Sequence, residues 1–80
     1  MTIQILGSGC PNCRTLEKNA REAVAKLGIE AEFEKVTDMD RIVEMGVLRT
    51  PGLAFDGKVQ KFGKVFTPEE IEETIKAYTT

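Results

Sequence analysis

Two cysteines three positions apart, Cys10-Pro11-Asn12-Cys13, stand between a short apolar run and a long amphipathic one, and this junction constrains the chain more than any other feature. The run before it, Ile3-Gln4-Ile5-Leu6, reads as a strand ended by Gly7-Ser8-Gly9. After Cys10 the period changes. Cys13, Leu16, Ala20, Ala23, Val24 and Leu27 recur at three- and four-residue spacing, which predicts a helix with one apolar face. Arg14, Glu17, Lys18, Arg21, Glu22 and Lys26 fill the opposite face, and Gly28 is placed to cap the C-terminus.

The remaining elements follow from the same reasoning. Ile29 to Val36 alternates around Ile29, Ala31, Phe33 and Val36 and predicts a second strand. Thr37 or Asp38 caps a short helix through Met39, Ile42, Val43 and Met45, closed by Gly46. Val47 to Pro51 connects to a strand Gly52-Leu53-Ala54-Phe55. Asp56-Gly57 then supplies the positive-φ pair of a tight hairpin, and Lys58 to Phe62 returns as a strand broken by Gly63. Thr67-Pro68-Glu69-Glu70 is a capping box with proline at the first helical position, and Ile71, Ile75 and Tyr78 stripe the last helix. The order β-α-β-α-β-β-α predicts an α/β domain spanning residues 1–80. Its first two strands are expected to be parallel across a helix and its last two to form an antiparallel hairpin. Together they make one four-stranded mixed sheet with helices on both faces.

Composition narrows the function. With 80 residues the core is thin, and no apolar run approaches the length of a membrane span. The start Met1-Thr2-Ile3-Gln4-Ile5-Leu6 has neither the basic opening nor the apolar stretch of a secretory leader, so a cytoplasmic protein is expected. Lys and Arg number 11 against 13 Asp and Glu, which argues against a nucleic-acid or anionic-membrane surface. The chain contains no histidine, so it builds neither a Cys-His or Ser-His pair nor a His metal site.

One cysteine pair closing so short a loop contributes little to holding a fold, so the pair points to chemistry. At the start of a helix, unpaired amides and the helix dipole favour an anion, and a thiolate at Cys10 would have its pKa lowered from about 8.5. Pro11 presets the helical backbone without costing a hydrogen bond. Cys13, one turn on and facing inward with Leu16, is expected to be less exposed, which separates an attacking sulfur from a resolving one. Other readings exist. A CxxC is half a zinc site, but no second pair completes it; it is also a Cu(I) site in soft-metal carriers, or simply two core thiols. Thr50-Pro51, just before a strand, is by default a trans loop proline.

The strand-to-helix opening around Cys10-Pro11-Asn12-Cys13, together with Thr50-Pro51, the Asp56-Gly57 hairpin and the closing helix, resembles the thioredoxin/glutaredoxin superfamily. It most resembles the small thioredoxin-like redox-active disulfide proteins of archaea and bacteria, and the likeness runs over essentially the whole chain. The resemblance implies a thiol-disulfide oxidoreductase with Cys10 as nucleophile and Cys13 as resolving thiol. It implies no cofactor beyond the Cys10–Cys13 disulfide. It also implies a cis Thr50–Pro51 bond opposite the pair, with the Thr50 backbone and Pro11, Asn12 and Pro51 meeting the substrate. The partners implied are a disulfide-containing protein and a reductase that recharges the pair, and nothing demands more than a monomer.

Some positions depart from the family pattern. Gly9 stands where thioredoxins usually carry tryptophan, and Gln4 stands where they bury an aspartate that assists the second cysteine, so no internal carboxylate is evident for Cys13. The rival reading is a copper-carrier domain with the CxxC between its first strand and helix. Such domains run β-α-β-β-α-β and commonly have methionine two residues before the first cysteine, where this chain has Ser8. An inert thioredoxin fold used for interaction is a third reading. Phe33, Phe55, Phe62 and Phe66 are expected in or near the core, Met39 and Met45 to pack rather than ligate, and Arg14 to be a solvated surface residue.

Overall fold

In a computed structural model that describes residues 1–7 and 11–79, the elements run β1 (Thr2–Leu6), α1 (Pro11–Leu27), β2 (Glu32–Val36), α2 (Met39–Glu44), β3 (Gly52–Phe55), β4 (Lys58–Phe62) and α3 (Pro68–Thr79). This is the order expected from the sequence. The four strands form one sheet in the order β2-β1-β3-β4. β1 and β2 pair in parallel, whereas β1–β3 and β3–β4 are antiparallel. The two inner strands, β1 and β3, are thus hydrogen-bonded on both sides. No helix among the described residues is long and apolar enough to cross a membrane.

Strand alternation divides the core in two. Ile3 and Ile5 of β1, with Leu53 and Phe55 of β3, point to one face and pack with Leu16, Ala20, Ala23 and Val24 of α1 and with Ile71 and Ile75 of α3. Leu6, Val36 and Ala54 point to the other face and pack with Ile42 of α2 and the following Val47, with Met45 and Val59 partly buried against them. Burying each large side chain of this kind stabilises the fold by about 1.5–3 kcal/mol. The α1/α3 face carries most of the core.

Helix ends explain where the strands begin. Gly28, at φ +66°, donates its N–H to the Ala25 carbonyl, and the next N–H, Ile29, reaches back to the Val24 carbonyl. These are the paired bonds of a Schellman stop. They draw Ile29 into the helix end, so β2 starts at Glu32 rather than at Ile29, where alternation alone had placed it. The same motif ends α2, with Gly46 donating to Val43 and Val47 to Ile42. Here its apolar contact, Ile42 against Val47, is itself part of the smaller core.

α2 departs from its expected packing. Asp38 caps it by accepting from the Asp40 N–H at 3.0 Å, but Met39 and Val43 are 49% and 58% exposed. A helix of six residues makes fewer than two turns, so it presents a single inward position, which Ile42 takes. Phe62 is likewise 42% exposed at the end of the edge strand β4, whereas Phe55 and Phe66 are buried and Phe33 half-buried.

α3 starts as read from the sequence. The Glu70 N–H donates to Thr67 Oγ1, and the Thr67 N–H donates to Glu70 Oε1, both at 3.2 Å. The bond from the Thr67 amide holds the Glu70 carboxyl below its ordinary pKa. Asn19 Nδ2 of α1 donates to the Phe66 carbonyl just ahead of this cap. Replacing Thr67 by alanine leaves the first-turn amides of α3 without that acceptor. A loss of about 1 kcal/mol is expected, read as a lowered midpoint in thermal denaturation followed by circular dichroism.

Candidate functional site

The site forms where the C-terminal end of β1 meets the first turn of α1. Cys13 is on that turn and is 5% exposed, on the inward stripe that continues through Leu16 and Ala20. Pro11 and Asn12, on the outer side of the same turn, are exposed, and Thr15 Oγ1 donates back to the Pro11 carbonyl at 3.0 Å. No acidic side chain lies in this first turn, so nothing on the helix itself neutralises the positive end of its dipole. Cys10 lies outside the described residues, as do Ser8 and Gly9.

Gly7 ends the strand, with its N–H donating to the Val36 carbonyl at 2.9 Å. Its lack of a side chain is a matter of space. A methyl group there would overlap Cys13 Sγ, and would stand 3.4 Å from Cys13 Cβ and 3.7 Å from Thr50 Cβ. Cys13 and Thr50, far apart in sequence, therefore converge over one backbone position. The Thr50–Pro51 bond is cis, as the resemblance implied and against the default for X-Pro bonds. Pro51 is fully buried, Thr50 is half-buried, and the Pro51 carbonyl accepts from the Gly63 N–H at 3.0 Å. The structure thus brings Cys13 and Thr50 together over Gly7, with Pro51 joined to Thr50 by the cis bond. Pro11 and Asn12 remain on the exposed rim.

Beside Cys13, between α1 and β2, lies a hollow of about 160 Å³ lined by Ile5, Gly7, Cys13, Arg14, Glu17, Lys35 and Thr37. Glu17 was assigned to the solvent face of the helix, yet its side chain is only 15% exposed. Lys35 Nζ stands 3.1 Å from one of its oxygens, and Arg21 donates to the other through Nε and Nη2. The Arg21 guanidinium in turn lies 4.4 Å from the centre of the Phe33 ring. Burial pushes the Glu17 carboxyl up, but the hydrogen bonds from Arg21 and Lys35 outweigh it, and the pKa falls below its ordinary 4.5. Arg14 is exposed, as expected, on the lip of the hollow.

Gln4 points the other way. Its Oε1 accepts from the Gly57 N–H at 2.7 Å and its Nε2 donates to Glu34 at 3.0 Å, so its amide is committed to the hairpin and to β2. The carboxylate that shares a hollow with Cys13 is Glu17, one helical turn further on. Sequence reasoning missed it because placing Glu17 requires knowing that Lys35 pairs with Ile5 across the parallel strands and so faces α1. The spacing of Glu17 four residues after Cys13 was the one visible signal. Among the described residues, no three His, Cys, Asp or Glu side chains gather as a metal site.

The chain is similar to known proteins over nearly its whole length. A family model described as a thioredoxin domain matches residues 1–76. A thioredoxin of Methanothermobacter thermautotrophicus is 56% identical over 75 residues, covering 94% of this chain and 97% of that protein. A thioredoxin of Methanocaldococcus jannaschii is 46% identical over 78 residues, covering 98% and 90%. A solved structure described as a malarial protein superposes with a TM-score of 0.67 over 99% of this chain and 97% of that one; at 12% identity it speaks for the fold alone.

The Glu17 carboxyl titrates lower in the folded chain than in the unfolded one. Its stabilisation is therefore present above about pH 4.5 and is lost as pH falls through the lower folded value. Glu17→Gln is expected to be less stable than the parent at neutral pH and to lose less stability on acidification to about pH 3. Urea midpoints of both proteins across that range test the point; parallel curves would contradict it.

Proposed function

The chain belongs to the thioredoxin domain family, and on that premise we propose that it is a thiol-disulfide oxidoreductase using Cys10 as nucleophile and Cys13 as resolving thiol. In the reducing direction the Cys10 thiolate attacks one sulfur of a substrate disulfide. The other substrate sulfur leaves as a thiolate, and a mixed disulfide joins Cys10 to the substrate. Cys13 then loses its proton and attacks the Cys10 sulfur, forming the Cys10–Cys13 disulfide and releasing the second substrate thiolate. The protein gives up two electrons and two protons, and the substrate disulfide becomes two thiols. A separate reductase restores the dithiol, and no cofactor beyond the disulfide takes part.

The observation that carries this reading is the buried Cys13 in the first turn of α1, packed over Gly7 at the end of β1 with Thr50 close by. α1 opens at Pro11, the residue after Cys10 in sequence, with no acid in its first turn, and such a helix start favours a thiolate. An extended segment of a protein substrate would lie along Thr50 as an added strand, with Pro11, Asn12 and Pro51 around it. A monomer in the reducing cytoplasm is the setting that suits a reductant. The copper-carrier alternative finds no support. The described elements run β-α-β-α-β-β-α, with a helix between the second and third strands, and the relatives the chain matches are thioredoxins.

Cys10→Ser is expected to abolish disulfide exchange, and Cys13→Ser to accumulate the mixed disulfide, seen on non-reducing gels. Alkylation of the parent chain across graded thiol/disulfide buffers is expected to give one two-electron transition between about −180 and −300 mV. An active Cys10→Ser protein, or a parent chain that forms no internal disulfide, would overturn the assignment.

A further inference from the structure

We infer that Gly7 is a positioning residue for the resolving step, holding the Cys13 sulfur in its place by leaving that place empty. The inference rests on the exchange chemistry proposed above and deepens it. Gly7 has no positive φ, so its backbone does not demand glycine. The demand comes from Cys13 Sγ, which occupies the volume that any side chain at position 7 would fill.

Two responses to a Cβ at position 7 are open. One moves α1 away from β1, but the helix is anchored by Leu16, Ala20 and Ala23, all completely buried in the larger core. Shifting them would open voids beneath three fully packed positions. The other turns Cys13 about χ1, which moves a single atom. The hollow lined by Arg14, Glu17, Lys35 and Thr37 adjoins Cys13 and has room for that sulfur. Staggered rotamers are discrete, and one of the three is disfavoured in a helix, so the sulfur changes position by a jump. Thr50 borders the same slot, with its Cβ 3.7 Å from where a Cβ on Gly7 would lie.

The consequence falls on one chemical step. Resolution needs Cys13 Sγ in line with the mixed disulfide at Cys10, and a misplacement of about an ångström in such an attack costs up to about a hundredfold in rate. The first attack is made by the Cys10 thiolate and forms or breaks no bond at the Cys13 sulfur. A change at position 7 that acts through Cys13 therefore separates the two steps, whereas a change that merely loosens the domain does not.

The test uses the reduced full chain and a chromogenic aromatic disulfide in excess, which releases one coloured thiolate at mixed-disulfide formation and a second at resolution. Gly7→Ala is expected to keep the parent's first phase and to slow the second by about tenfold to a hundredfold. Thermal midpoints of Gly7→Ala in the Cys13 and Cys13→Ala backgrounds supply the second measurement. The loss of stability caused by the alanine is expected in the first background and to disappear in the second, where the sulfur is gone. Equal slowing of both phases, an unchanged second phase, or the same stability loss in both backgrounds would overturn the inference, and so would a variant that fails to fold in either. A parent chain that never releases the second coloured thiolate would instead overturn the exchange reading on which this one depends.

Discussion

The apolar stripe of α1 has to leave water, and β1 is the surface that receives it. Leu16, Ala20 and Ala23 reach zero exposure against Ile3 and Ile5, and the small alanines let the helix approach the sheet closely. This packing makes β1 an inner strand, since a helix crossing back over it delivers β2 in parallel on one side and leaves β3 to pair on the other. α3 completes the cover over Leu53 and Phe55. The site inherits its geometry from this contact. Cys13 is the first residue of the buried stripe, so seating the helix also seats the sulfur over the end of the strand.

The second face of the sheet is lightly covered, and polar groups complete it. α2 contributes one buried side chain, and Gln4 lies on that face with both ends of its amide bonded, to Gly57 and to Glu34. Glu34 also faces Arg41 of α2 at 3.6 Å. At the far end of β1, Asp56 accepts from the Thr2 N–H at 2.8 Å and from the Tyr78 hydroxyl at 2.9 Å, tying the hairpin to the first strand and the last helix. The amide bond from Thr2, then the Tyr78 hydroxyl, hold the Asp56 carboxyl below its ordinary value, and the same contact raises Tyr78. Among the described residues, no buried side-chain nitrogen or oxygen lacks a partner. These bonds stand at the opposite end of β1 from Cys13, so the polar clasp and the thiol site are separate parts of one strand.

Much of the architecture was legible because it depends on local chemistry. The helix stripe from Cys13 onward, the capping box at Thr67, the Asp56-Gly57 turn and the two glycine stops are short-range patterns whose physical causes lie within a few residues. Where local reasoning went astray, a neighbour distant in sequence or a helix too short for its pattern was responsible. Ile29 was claimed by the end of α1, Met39 and Val43 had no second inward position to occupy, and Glu17 was drawn under cover by Lys35 from a different strand.

The sequence by itself determined the order of elements, the inward face of α1 and the chemical identity of the thiols, because periodicity, caps and side-chain chemistry are carried by neighbouring residues. Only the tertiary structure decided what stands around Cys13. It brings Thr50 across from β3's approach, sets Gly7 beneath the sulfur and turns the Glu17–Lys35 pair into the adjoining hollow. Those relations depend on strand register and on the distance of closest approach between a helix and a sheet. Both quantities come from packing the whole core at once, and no window of the sequence contains them.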